Sequence, residues 1–236
     1  MKKFLKFLKY FLLAAVAVIV IVASVFIAKG YSMYKRALRD TPPEDVIEKI
    51  TSDPDFTPLS ELPDTYKKAV IAAEDHRFYY HGGVDLISVA RAVYVNVTRL
   101  KLVEGGSSIT QQFVKNAFFS QARTAERKIA ETFMALYLER RYEKDDILSW
   151  YVNTIYFGSG YYSIRAAARG YYGKEPSELD DYESTMLAGL PNAPSVYSLD
   201  AHPDLAAQRQ AQVVRKMIKY GYLTQQQGEE ILSRNA

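Results

Sequence analysis

The 236-residue sequence predicts a mainly α-helical protein with one N-terminal transmembrane helix. Three observations carry that prediction. Residues 10–28 hold no charged side chain between Lys9 and Lys29, and at 1.5 Å per residue such a run matches the ~30 Å hydrocarbon core of a bilayer. Downstream, apolar residues recur at three- and four-residue intervals, with breaks at glycine and proline. No stretch alternates apolar and polar residues as a half-buried strand would, and no internal repeat is visible.

The composition excludes several classes. Residues 1–39 carry eight Lys or Arg and no acidic residue, which leaves 22 basic against 27 acidic residues in the remainder. A mildly acidic body lacks the basic footprint of a nucleic-acid binder. With no cysteine there is no disulfide, thiolate nucleophile or cysteine-based zinc site. The long apolar run without a small-x-small cleavage site predicts an uncleaved anchor. Four basic residues flank each side, so charge alone does not orient it. The organisation expected is a tail at 1–9, a span at 10–28, a juxtamembrane linker at 29–61 and a folded domain at 62–236. Five of the nine prolines lie between Pro42 and Pro63, which predicts that the linker is extended.

The body then reads in order. Residues 63–74 open at a proline and place Tyr66, Val70, Ile71 and Ala73 on one side. Residues 74–85 concentrate three carboxylates, two histidines, an arginine and two adjacent glycines, the pattern of a catalytic loop rather than of packing alone. Residues 86–100 have a helical apolar stripe, read as a core helix in preference to a segment dipping into the membrane interface. Gly105-Gly106-Ser107-Ser108 leads into a helix and exposes N–H groups of the kind that face an anion, with Ser107 or Ser108 as N-cap. Gln111, Gln112, Lys115 and Asn116 follow as donors suited to sugar hydroxyls and phosphate. In the helix at 124–141, Arg127 and Lys128 reach Glu131 one turn on, an arrangement that in isolation reads as a surface ion pair. A helix at 144–156 buries Leu148, Tyr151, Val152 and Ile155, with Trp150 and Asn153 elsewhere on its surface. The aromatic loop 156–162 and helices near 178–189, 203–219 and 224–234 complete the chain.

Taken together, these stretches resemble the peptidoglycan glycosyltransferase family, the transglycosylase domain of penicillin-binding proteins and their monofunctional relatives. Glu74, Asp75, Phe78, His81 and Gly83 meet its first motif, and Gly105 to Gln112 the second, with Ser108 in place of Thr. Arg127, Lys128, Glu131, Ala135, Leu138 and Glu139 meet the third. Residues 147–174 carry the fourth, including Tyr151, Asn153 and Gly158, and 187–194 the fifth. Ser163 stands where the family usually has Gly, and Asn192 where Gln is common.

The resemblance implies a two-lobed, lysozyme-like glycosyltransferase domain on the outer face of a bacterial cytoplasmic (inner) membrane. Its substrates would be lipid II and the growing glycan strand, joined by inversion with loss of undecaprenyl pyrophosphate. By resemblance Glu74 is the general base and Glu131 the assisting carboxylate. Lys115, Arg123, Arg127 and Lys128 are the candidate pyrophosphate ligands, and Ser107, Gln111, Gln112 and Asn153 further substrate ligands. Asp75, Arg77, Phe78, His81 and Gly83 would shape the loop, its two glycines forming a flexible rim. No organic cofactor and no protein metal site are expected, although a divalent cation (Mg or Mn) beside the pyrophosphate is a candidate. Other cell-wall synthesis and division proteins are candidate partners. The chain has no Lys-Thr-Gly motif, so a monofunctional enzyme is expected. A lysozyme-like lytic enzyme and an inactive assembly scaffold are the alternatives.

Overall fold

A computed structural model of the chain describes residues 2–99, 101, 105–119 and 124–234. Helices α1 (Lys2–Asp40), α2 (Pro43–Thr51), α3 (Asp64–Glu74), α4 (Leu86–Arg99), α5 (Ile109–Phe118) and α6 (Ala125–Leu138) form its first part. They are followed by α7 (Lys144–Val152), α8 (Ile164–Tyr172), α9 (Asp181–Gly189), α10 (Pro203–Lys219) and α11 (Gln225–Ser233). No strand occurs among the described residues, where Tyr156 and Tyr162 make one isolated bridge. The fold is mainly α, as the periodicity predicts.

Residues 29–61 depart from the extended linker expected of them. The apolar helix α1 is long and apolar enough to cross a membrane, and it continues unbroken past Lys29 to Asp40. Its last turns pack on α6, where Tyr31 meets Phe133 edge to face and Tyr34 meets it tilted, at 5.3 and 5.8 Å between ring centres. Gly30 permits this approach: a Cβ there would meet Ile129 Cγ2 at 2.5 Å. After a break at Thr41–Pro42, Pro43 opens α2, where its missing N–H costs no helical bond. The prolines mark helix starts rather than an unstructured tether.

The body has two lobes. In one, α9 is buried on every side from Glu183 to Gly189, with α3 and α10 packed against it. In the other, α5, α6 and α7 pack together around Ile109, Phe113, Met134, Leu138 and Leu148. Trp150 is part of this core at 6% exposure, contrary to its expected surface position, because residues 147–152 are all buried. Two helices missed in the sequence, α2 and α8, are short and follow a proline and a serine cap respectively.

Helix α4 is not the core helix expected. Only Ala92 is buried, while Leu86, Ile87, Val93, Tyr94 and Val97 are more than half exposed. Its apolar stripe is real, but it faces outward.

Candidate active site

The groove between the lobes is about 600 Å³ in volume, and Glu74, Ser107, Gln111, Gln112, Lys115, Lys128 and Glu131 all line it. Glu74 is the last residue of α3, so its side chain projects where the helix ends. Its carboxylate is largely buried and accepts a hydrogen bond from Gln112 Nε2 at 2.8 Å through Oε2. Oε1 has no hydrogen-bond donor and lies 3.6 Å from the Arg209 guanidinium of α10. Gln112 is itself fixed by Tyr151, whose buried hydroxyl donates to Gln112 Oε1 at 3.3 Å. Burial holds the Tyr151 phenol well above its ordinary pKa, so it stays a donor.

The following loop is clasped rather than flexible. Asp75 accepts from His81 Nε2 at 2.9 Å and from the Ile109 N–H, the first of α5, at 3.1 Å. Arg77 pairs with Asp85 at 2.7 Å, and Ser88 and the Ile87 N–H also donate to that carboxylate. Burial would raise the Asp85 carboxyl, but Arg77 and the Ser88 hydroxyl and N–H outweigh it and hold the group below the usual carboxylate range. Phe78 is fully buried, with the Lys144 ammonium 4.3 Å from its ring centre. Gly83 is no flexible rim. At φ 89° a Cβ would lie 3.0 Å from the Ala135 carbonyl, so the glycine lets the loop close onto α6.

The N-terminus of α5 likewise differs from expectation. Ser108 is its N-cap, in a reciprocal box with Gln111. The anion that meets the first helical N–H is the protein's own Asp75, not a ligand. Gln111 spends its side chain on Ser108 N and Thr132 Oγ1.

Glu131, on α6, is 1% exposed, so its expected surface ion pair is a buried one. Arg127 Nε stands 3.2 Å from one oxygen and Lys128 Nζ 3.0 Å from the other. Lys128 also donates to Ser107 Oγ at 2.8 Å. Lys115 enters from α5 with no ion pair among the described residues. Burial lowers its ammonium pKa, while Glu131 and Glu74 act to raise it and Arg127 and Lys128 to lower it. Arg123 lies outside the described residues.

Asn153 is not brought to the groove wall with these groups. Its side chain pairs with both backbone groups of Thr57 at 2.8 Å and so docks the segment ahead of α3. Ser163, the departure noted above, adopts φ 104° and ψ 152°, a region otherwise held by glycine, and its hydroxyl caps α8. Sequence reasoning missed Arg209. The available signal was an arginine in register with Ala206, Val213 and Met217, the apolar stripe of α10. A three-atom cluster of possible metal ligands does form at Asp75, His81 and Asp85. Their oxygens already accept from Arg77, Ser88 and Ile109, while His76 lies apart, stacked on Tyr220.

A helical cleft lined by a buried carboxylate and a cluster of cations is a class of site suited to sugar–phosphate chemistry. The transglycosylase family model matches residues 44–218, and the chain belongs to that family. Penicillin-binding protein 1A of Aquifex aeolicus is 41% identical over 179 residues, which is 76% of this chain and 25% of that one. Penicillin-binding protein 1F of Bacillus subtilis is 41% identical over 181 residues, 77% and 25% of the two chains. A Cupriavidus necator protein provisionally named a transglycosylase is 39% identical over 188 residues, 80% of this chain and 81% of that one. The chain thus spans about a quarter of the penicillin-binding proteins it matches and most of the Cupriavidus protein.

Proposed function

We propose that the chain is a membrane-anchored peptidoglycan glycosyltransferase that polymerises lipid II with inversion. The observation that carries this reading is the placement of Glu74 and the Lys115–Lys128–Glu131 cluster in one groove. A sugar hydroxyl is a poor nucleophile near neutral pH, so a base must take its proton as the new bond forms. Glu74 offers Oε1 for that proton, while Gln112 fixes the other oxygen. The 4-hydroxyl oxygen attacks the anomeric carbon, and the bond to the lipid diphosphate breaks on the opposite face. The electron pair leaves on that diphosphate, where Lys115 and Lys128 oppose the growing charge.

Glu131 holds these cations in place. Both its oxygens already lie within 3.2 Å of Arg127 or Lys128, which compete with a divalent ion for them. The anchor α1 and the exposed apolar face of α4 would keep the groove at the membrane surface, on its outer side, where a lipid-linked substrate arrives.

The test is to incubate the detergent-purified chain with lipid II and, separately, with finished glycan, each with and without a chelator. Polymer from lipid II, insensitive to chelation, is expected, with no cleavage of glycan. Cleavage of glycan without polymerisation would replace this reading with a lytic one.

A further inference from the structure

Helix α1 carries Gly30 in its interior, where glycine destabilises a helix relative to alanine. The residue is buried against α6. Besides Ile129 Cγ2, a Cβ there would meet Ile129 Cβ at 2.6 Å and the Glu126 carbonyl oxygen at 2.9 Å, so any side chain would push the two helices apart. Beyond this point the helices run side by side in the same direction. Tyr34, one turn on, meets Phe133 and then Tyr137, at 5.8 and 6.3 Å between ring centres. Arg127 and Lys128 lie between the two residues that Gly30 touches, and both pair with Glu131.

The uncharged run of α1 ends at Ala28, and Lys29 is the first charge after it. Measured along the helix, Gly30 therefore stands within a few ångström of the edge of the hydrocarbon core, at ~1.5 Å per residue. The turn of α6 that it touches lies at the same level. A diphosphate joined to a chain embedded in the bilayer carries its phosphates there too, just outside the hydrocarbon. Helix α1 is unbroken from the span to Asp40, so no hinge separates the bilayer from this contact.

This inference rests on the proposed polymerase reading and deepens it. We propose that Gly30 is a positioning residue for the reaction: acting through Ile129, it fixes Arg127 and Lys128 at the height of a lipid-linked diphosphate.

Two variants of the full-length chain in liposomes separate height from packing. In Gly30→Ala the new Cβ, 2.5 Å from Ile129 Cγ2, must move away by about 1 Å to reach ordinary carbon–carbon contact. A misplacement of that size should lower kcat/KM for lipid II on the order of 10²-fold, and Ile129→Ala in the same chain should restore most of the loss. The second variant has four polar, helix-forming residues inserted between Lys29 and Gly30. It keeps the Gly30 contact and lifts the body by about 6 Å. Its KM for lipid II should rise at least ~10-fold, the cost of drawing two methylene groups of the lipid chain into water. A water-soluble lipid II analogue with a short chain should be used as well as by the wild type, which a damaged fold would not allow.

The chain has no cysteine, so an Ala125→Cys substitution at the exposed start of α6 takes a single spin label that reports depth in the bilayer. The label is expected at the phosphate level in the otherwise wild-type chain and about 6 Å further out after the insertion. An unchanged depth would show that α4, not α1, sets the height and would overturn the proposal. So would an unmoved KM for lipid II in the lifted protein, or a Gly30→Ala chain as active as wild type. If the wild type polymerises neither substrate, the polymerase reading falls, and the depth of the label still judges the height of the cations.

Discussion

Glu74 and Glu131 are both buried carboxylates on one groove, yet their surroundings differ in kind. Glu131 sits mid-helix with a cation on each oxygen, both from the preceding turn of its own helix. Glu74 sits at a helix end, takes one hydrogen bond from a neutral amide, and leaves Oε1 without a donor. A carboxylate bracketed by cations is a poor proton acceptor but a good fixture for those cations. One whose second oxygen has no hydrogen-bond donor and only a guanidinium 3.6 Å away keeps a lone pair for a proton. The same side chain thus serves two roles, set by what surrounds it.

The most direct way to break this comparison is to remove each charge in turn. Glu74→Gln keeps the side chain's volume and should cost 10²- to 10⁴-fold in kcat, the usual range for a lost general base. Its melting temperature should stay near wild type, since the Arg209 contact is a loose 3.6 Å. Glu131→Gln should instead lower stability by about 2–3 kcal/mol, because Arg127 and Lys128 lose their shared partner. That figure is discounted because the Lys128 side chain is 46% exposed. Thermal unfolding beside lipid II polymerisation separates the two cases. Equal loss of stability in both variants would erase the distinction.

A smaller effect is expected at Gln112. Gln112→Ala removes the amide that orients Glu74 and leaves the buried Tyr151 hydroxyl without its acceptor. About one hydrogen bond's worth of alignment is lost, so kcat should fall ~10-fold with KM little changed. Steady-state kinetics on lipid II decide it, and a change confined to KM would mean that Gln112 holds substrate instead.

How much of this was legible in the sequence depends on how local the cause is. Helices α3, α5, α6, α7 and α10 follow from apolar spacing and cap residues such as Ser108 and Thr124, all within a few positions of one another. Outward-facing α4 carries the same spacing as a core helix, and periodicity does not say which solvent an apolar face meets. The prolines near α2 signal a helix start as readily as a coil. At the site, the Arg127–Lys128–Glu131 bracket lies within five residues and was visible. Arg209 reaches Glu74 across 135 positions of sequence, a contact that only the packing of α10 on α3 creates. Asn153 was misplaced for the same reason, since its partner Thr57 lies 96 residues away.

The finest test of the contrast lies in the cation between the two carboxylates. Burial lowers the Lys115 pKa, so its ammonium loses its proton at lower pH than an exposed lysine would. The free enzyme therefore loses this charge as pH rises, and kcat/KM should fall on an alkaline limb that begins below the ordinary lysine range. An arginine keeps its charge throughout that range. Lys115→Arg should move the limb to higher pH, with a modest loss of rate at neutral pH because a planar fork replaces a compact ammonium. The readout is the pH profile of kcat/KM for lipid II polymerisation in the two forms. A limb that stays in place would show that another group sets it, and would leave Lys115 as a ligand whose protonation the reaction does not feel.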